Sequence, residues 1–129
     1  DCALIFGTGG SAKAVAFILK EIGIKVLHVS RKVNDKKNHF AYTDVNENML
    51  NACKLLVNCT PLGMFPKTEI SVDIPFNALS NEHLVIDLIY NPEKTLFLKQ
   101  AQKQGATILN GASMLKEQAM ESWRLWNRI

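Results

Sequence analysis

The sequence predicts an α/β domain built on an open, doubly wound parallel sheet with helices on both faces, and three observations predict it. Short continuous apolar runs alternate along the chain with stretches of helical period. Those runs are apolar at successive positions, so both faces of each strand need cover, as in a parallel sheet flanked by helices. The first run ends in Gly7-Thr8-Gly9-Gly10-Ser11-Ala12, a glycine turn that leads directly into a helical pattern. Right-handed crossovers between such strands give a Rossmann-like arrangement.

Cys2 to Phe6 is the first strand, bounded by Gly7. Ala12, Val15, Ala16, Ile18, Leu19 and Ile22 recur at helical spacing, and Gly23 closes that helix. Lys25 to Ser30 is the second strand. Phe40 to Thr43 is a weaker third. The segment before it is short and polar, whereas a parallel crossover usually takes about a dozen residues, so this strand is expected to be displaced or poorly formed. Asp44-Val45-Asn46-Glu47 resembles a capping box opening a short helix to about Cys53. Leu55 to Cys59 and Leu84 to Tyr90 are buried strands. The long connection between them, Pro61 to Asn81, is expected to be functional or mobile. Pro92 to Gln104 is a helix with Pro near its first turn and Gly105 after its end. Thr107 to Leu109 is a last short strand. Ala112 to Arg128 is the final helix, with Leu115, Ala119, Trp123 and Trp126 on one stripe.

At 129 residues the chain is one domain, residues 1–129, against a norm of roughly 100–200 residues per domain. Hydrophobic residues at 47% and charged residues at 21% exclude a disordered chain. Fifteen Lys and Arg against twelve Asp and Glu leave +3, too slight an excess for a dedicated nucleic-acid or membrane-surface protein. No apolar run reaches the roughly 18 residues of a membrane span. Cys2, Cys53 and Cys59 are odd in number and widely spaced, which fits neither a disulfide framework nor a zinc site. They are expected as buried small hydrophobes in a reducing, cytoplasmic setting. His28, His39 and His83 have no metal-ligand spacing, and no metal is expected. An apolar run begins directly after Asp1 without the charged segment of a signal peptide, and Trp123 to Ile129 stops inside a helical pattern. The expectation is of a piece of a longer protein.

The glycine turn matches G-x-G-x-x-[G/A] between a strand and a helix. There, free N–H groups and the helix dipole face a pyrophosphate. Gly7 permits the tight turn, Gly9 lets backbone approach the phosphates, and Ala12 lets the helix lie close to the sheet. A nucleoside-triphosphate loop fits poorly: Ala12 and Ala14 stand where that motif needs its second glycine and its Mg²⁺-binding hydroxyl. The end of the second strand selects the cofactor. An NAD site places Asp or Glu there for the ribose 2′-OH. This chain has Ser30-Arg31-Lys32, two cations and a hydroxyl that suit a 2′-phosphate, and NADP is expected over NAD. A solvated basic loop running on through Lys36 and Lys37 is the competing reading.

Further motifs follow in order: Asn58-Cys59-Thr60-Pro61-Leu62-Gly63-Met64, then Asp87-Leu88-Ile89-Tyr90-Asn91-Pro92, then Asn110-Gly111-Ala112-Ser113-Met114-Leu115-Lys116-Glu117-Gln118-Ala119. Together with the glycine turn and the second-strand end, they make the chain resemble the NADP-binding C-terminal domain of the shikimate dehydrogenases over nearly its whole length. The resemblance implies reversible, NADPH-dependent reduction of 3-dehydroshikimate to shikimate. It implies that Gly7, Thr8, Gly9, Gly10 and Ser11 bind the pyrophosphate. Ser30, Arg31 and Lys32 would surround the 2′-phosphate, with Ser30 in place of the family's usual Asn and Lys32 in place of its usual Thr. Thr60 would line the dinucleotide side of the cleft, and Leu88 and Gly111 would flank the nicotinamide. Tyr90 and Gln118 would reach the substrate. Met114 shares a helix face with Gln118 and is placed on the cofactor side, with core packing as its competing role. The family's acid/base Lys and Asp lie in an N-terminal substrate domain, so no catalytic residue is expected in this chain. Asp87, inside a buried strand run, reads as structural. The alternatives are a quinate or other small hydroxy-acid dehydrogenase, and a non-catalytic NADP-binding regulatory module.

Overall fold

A computed structural model describes residues 1–31 and 37–110. The strands are β1 (Cys2–Phe6), β2 (Lys25–Ser30), β3 (His39–Ala41), β4 (Leu55–Asn58), β5 (Leu84–Asp87) and β6 (Thr107–Leu109), and the helices are α1 (Gly10–Glu21), α2 (Glu47–Ala52) and α3 (Leu96–Lys103). All adjacent strands pair in parallel, in the order β3-β2-β1-β4-β5-β6. The doubly wound fold predicted from the apolar runs is thus present, and its order reverses between β1 and β4. The third strand is short but formed: His28, Val29 and Ser30 pair with His39, Phe40 and Ala41. Lys32 and the whole of the expected final helix lie outside the described residues.

The two-residue period of each strand divides its side chains between two cores. Ala3, Ile5, Val26, Leu55, Val57, Leu84 and Ile86 pack under α1, which turns Ala12, Val15, Ala16 and Leu19 toward them. Leu4, Phe6, Val29, Leu56 and Val85 face the other way, onto Leu50 of α2 and Phe97, Leu98 and Ala101 of α3. Phe97 meets Phe6 edge-on, with ring centroids 5.8 Å apart. Ala12 is fully buried, consistent with the close helix-to-sheet approach read from the motif.

Several local expectations are corrected. The short helix starts two residues later than the capping-box reading implies. Asn46 is its N-cap and accepts from the Met49 N–H at 2.9 Å, while the Asp44 carboxylate closes a turn on the Ala41 N–H. The helix expected from Pro92 begins at Leu96, capped by Thr95. The 59–83 connection is held in place, because Val72, Ile74 and Leu79 are buried in the second core. Cys2 and Cys53 are joined in a disulfide, whereas three separate thiols were expected. The pair stands at the start of β1 and just after α2, a juxtaposition that spacing alone does not reveal.

His83 is fully buried at the start of β5. Its Nδ1 accepts from the Ser80 N–H at 3.0 Å, and its Nε2 lies 2.7 Å from the Leu50 carbonyl. The first contact requires a lone pair and the second a hydrogen, so the ring is neutral in this arrangement. Burial lowers its pKa from 6.5, against the pull of the Leu50 carbonyl. The unfolded chain therefore binds more protons below about pH 6.5, and this site's stability is present above that pH and lost as pH falls. We expect urea melts between pH 7 and 5 to show a steeper loss in the wild type than in His83→Gln. Equal slopes would remove His83 from the acid response.

Candidate functional site

The site begins where the strand order reverses. Gly7 leaves β1 with φ +109°, a left-handed conformation that a side chain would strain. Its N–H donates to the Val29 carbonyl at 2.8 Å, tying the turn to β2. A Cβ on Gly7 would stand 3.2 Å from the Thr60 methyl and 3.4 Å from Cys59 backbone. The turn after β1 and the loop after β4 thus touch. Gly9 and Gly10 open α1, and a Cβ on either would meet nothing within 4 Å among the described residues. That open space, over the unpaired N–H groups of the helix start, is shaped for a close-lying anion.

A pocket of about 420 Å³ opens beside this junction, lined by Ser11 of the helix start, Cys59, Thr60 and Pro61 after β4, Met64 and Phe65 beyond, and Leu88 to Asn91 after β5. The structure therefore brings together Ser11, Thr60, Leu88 and Tyr90 from the sequence reading. Met64, Phe65 and Asn91 join them, and no role was read for these from sequence. They come close because the Phe65 N–H donates to the Asn91 carbonyl at 2.9 Å, linking two loops far apart in the chain. Tyr90 is 74% exposed, Phe65 61% and Met64 48%. Large apolar side chains so exposed around one mouth mark a contact surface.

A buried polar relay forms the floor. Asp87, fully buried, accepts from Asn58 Nδ2 at 3.1 Å, from the Ile89 N–H at 3.0 Å and from Thr95 Oγ1 at 2.7 Å. Asn58 passes the order on: its Oδ1 accepts from Thr60 Oγ1 at 2.6 Å and from the Thr60 N–H at 3.0 Å. Burial raises the Asp87 pKa above 3.8, opposed by the three hydrogen bonds. Desolvation dominates because the three groups that bond the carboxylate are neutral donors. Asp87 holds loops in place from beneath the pocket, as the structural reading expected.

Ser30 and Arg31 sit apart from the pocket, at the end of β2 on the same rim of the sheet. Arg31 is exposed and acts electrostatically on Tyr42, lowering a pKa that burial raises. Tyr42 stacks on Phe6, 5.9 Å between centroids. No role was read for Tyr42 from sequence; an aromatic directly after an edge strand was the available signal. Lys32, Gly111, Met114 and Gln118 lie outside the described residues. Among the described residues no cluster of His, Cys, Asp and Glu could hold a metal, and no helix is long and apolar enough to cross a membrane.

No protein-family model matches the chain. It is 34% identical over 140 residues to the NADP(+) shikimate dehydrogenase of Desulforamulus reducens, covering 96% of this chain and 48% of that protein. It is 37% identical to that of Methanococcus maripaludis, covering 98% and 49%. Among solved structures, a shikimate dehydrogenase in complex with NADP+ has a TM-score of 0.76 at 30% identity, over 99% of this chain and 49% of that one. Shikimate 5-dehydrogenase of Listeria monocytogenes, in complex with shikimate and NAD, scores 0.79 at 25% identity, over 99% and 51%. Quinate dehydrogenase of Corynebacterium glutamicum, in complex with NAD, scores 0.74 at 26% identity, over 100% and 50%. The chain spans about half the length of the curated relatives it matches. Both coenzymes are held on this fold, so fold alone does not choose between them.

Proposed function

We propose that this chain, a homologue of the shikimate dehydrogenases, is the NADP-holding half of such an enzyme and works with a preceding substrate domain. The observation that carries this reading is the contact of Gly7 with Thr60 at the reversal of strand order, beside the pocket. Dinucleotides lie across that crevice in open α/β sheets. Gly7, Thr8, Gly9, Gly10 and Ser11 would take the pyrophosphate. Ser30 and Arg31, with Lys32, would take the 2′-phosphate. Thr60, Leu88, Gly111 and Met114 would line the nicotinamide end, and Tyr90 and Gln118 would reach a hydroxyl or carboxylate of the substrate. NADPH, when bound, supplies the hydride.

The chain's own work is positional. The Asp87 relay fixes the loop carrying Thr60. The apolar wall of Leu88, Ile89 and Met64 excludes water from one side of the reacting pair. The exposed rim of Met64, Phe65 and Tyr90 supports a second domain closing over it. The proton would be moved by a Lys and an Asp of that domain. A cytoplasmic setting would keep Cys2 and Cys53 as thiols, with the bond forming only under oxidation. Quinate in place of shikimate stays open as the substrate, since the quinate dehydrogenase shares this fold at the same coverage.

The 129-residue chain is expected to bind NADPH more tightly than NADH and to show no shikimate oxidation by itself. Coenzyme fluorescence titration and an absorbance assay check both halves. Turnover by the chain alone would show that the acid/base groups are misplaced, and indifference to both coenzymes would end the reading.

A further inference from the structure

The hydrogen bonds beneath the pocket run in one direction. The Thr60 N–H, which can only donate, faces Asn58 Oδ1 at 3.0 Å. The Asp87 carboxylate, which accepts, faces Asn58 Nδ2 at 3.1 Å. These two one-way partners fix which end of the Asn58 amide is which. Asn58 Oδ1 is an acceptor, so the Thr60 hydroxyl at 2.6 Å gives it its hydrogen. The Leu62 N–H donates to the same hydroxyl oxygen at 3.2 Å. A proton on Asp87 leaves this order intact. Its Oδ1 already accepts from Asn58 and from the Ile89 N–H, and the proton would sit on Oδ2, toward Thr95.

A threonine hydroxyl has one hydrogen and two lone pairs. In Thr60 the hydrogen is committed to Asn58 and one lone pair to Leu62, which leaves one lone pair. Thr60 is half-buried and lines the pocket. Its methyl leans on the Gly7 turn, so both branches of the side chain are held. Any hydrogen bond it makes to a ligand it makes as an acceptor. A phosphate oxygen, itself an acceptor, is turned away, and a ligand O–H or N–H is matched. Leu88, Ile89 and Met64 give the same pocket apolar walls, against which a ligand donor loses water and needs a replacement acceptor.

We infer that Asn58 is a positioning residue that makes the Thr60 hydroxyl a fixed acceptor, and that Thr60 thereby selects a hydrogen-bond donor at the nicotinamide end of the coenzyme, a ribose hydroxyl or the carboxamide N–H. The assignment rests on the coenzyme reading above. It gives the loop after β4 a part in recognition distinct from that of the glycine turn. The turn offers N–H donors to an anion, and Thr60 offers a lone pair to a donor.

The test is calorimetric titration of the 129-residue chain with NADP+ and analogues that each lack one donor. The 3-acetylpyridine analogue has no carboxamide N–H, and two deoxy analogues lack the 2′- or the 3′-hydroxyl of the nicotinamide ribose. In the wild type one of them is expected to bind about three- to tenfold more weakly than NADP+, the range for one net hydrogen bond. Thr60→Val keeps the shape without the hydroxyl, and the preference for NADP+ over that analogue should vanish. Thr60→Ser keeps the hydroxyl and should keep the preference, even if losing the methyl weakens every ligand alike. Asn58→Ala should reduce the preference with Thr60 intact. A merely structural role for either residue would weaken NADP+ and its analogues in step, and unchanged ratios overturn the assignment. A second measurement needs no coenzyme. The Thr60 hydroxyl proton is expected as a slowly exchanging NMR signal close to the Thr60 amide proton, and it should be lost in Asn58→Ala. Its absence from the wild type overturns the fixed direction. If the signal is present and NADP+ does not bind, the coenzyme reading falls and takes this ligand with it. If NADP+ binds and the ratios do not move, this assignment falls alone.

Discussion

Asp87→Ala is expected to destabilise the fold by about 3–5 kcal/mol, the lower part of what stranding its three buried donors would cost. The reason is what it leaves behind. Asn58 Nδ2, the Ile89 N–H and Thr95 Oγ1 all donate to this carboxyl group, and each buried donor left without an acceptor costs about 1–3 kcal/mol. Partial relaxation keeps the total below a simple sum. Asp87→Asn is the informative control. Its carbonyl oxygen still accepts from Asn58 and Ile89, and its amide can donate to Thr95 Oγ1, so a loss of only about 1–2 kcal/mol is expected for the single rearranged contact. Urea denaturation at pH 7 separates the two. Equal losses would mean that the carboxyl group fills space and that the hydrogen bonds contribute little.

The same pair gives a pH signature opposite to that of a salt-bridged aspartate. Burial raises the folded-state pKa of Asp87 above 3.8. Between that value and the raised one, the folded chain binds more protons than the unfolded chain. This site's contribution is therefore full below about pH 3.8 and is lost as pH rises through the folded value. Asp87→Asn cannot titrate, so the wild type should gain on it as the solution is made acid. His28 and His83 pull the other way in both proteins and cancel in the comparison. A constant difference across the acid range would contradict the raised pKa.

Much of the fold was legible because its signals are local or periodic. β1, β2, β4 and β5 are apolar on both faces, and only a covered parallel sheet makes use of that. The glycine turn announced itself because strand, turn and helix are contiguous. What escaped depended on distant partners. Thr95, not Pro92, sets the start of α3, and its side chain is held by Asp87 eight residues away. Asp44 and Asn46 both have the chemistry of a cap, and only the path of the chain decides between them. Cys2 and Cys53 meet through the sheet and not through their spacing. In the site, Ser11, Thr60, Leu88 and Tyr90 were read from motifs and do converge on one pocket. Met64, Phe65 and Asn91 were given no role because a loop-to-loop hydrogen bond brings them there.

Arg31→Ala is expected to raise the dissociation constant for NADPH about 10- to 100-fold and to leave that for NADH within about twofold. A charge-assisted hydrogen bond is worth about 1.5–3 kcal/mol, and about 1.4 kcal/mol is a factor of ten. Only the phosphorylated coenzyme presents the group that Arg31 would hold, so the ratio of the two affinities, not either alone, reads the contact. A guanidinium on an exposed rim is screened by salt, and the ratio should shrink between low and physiological ionic strength in the wild type and change little in the variant. Arg31→Lys should recover part of the loss, because it restores the charge without the planar fork. The competing view, a solvated basic loop that draws in any polyanion, predicts that both coenzymes weaken together in Arg31→Ala. The glycine turn would then be a pyrophosphate site indifferent to the 2′ position. Both coenzymes occur on solved relatives of this fold, so the arrangement of strands is neutral between these outcomes and the choice rests on the residues that follow β2.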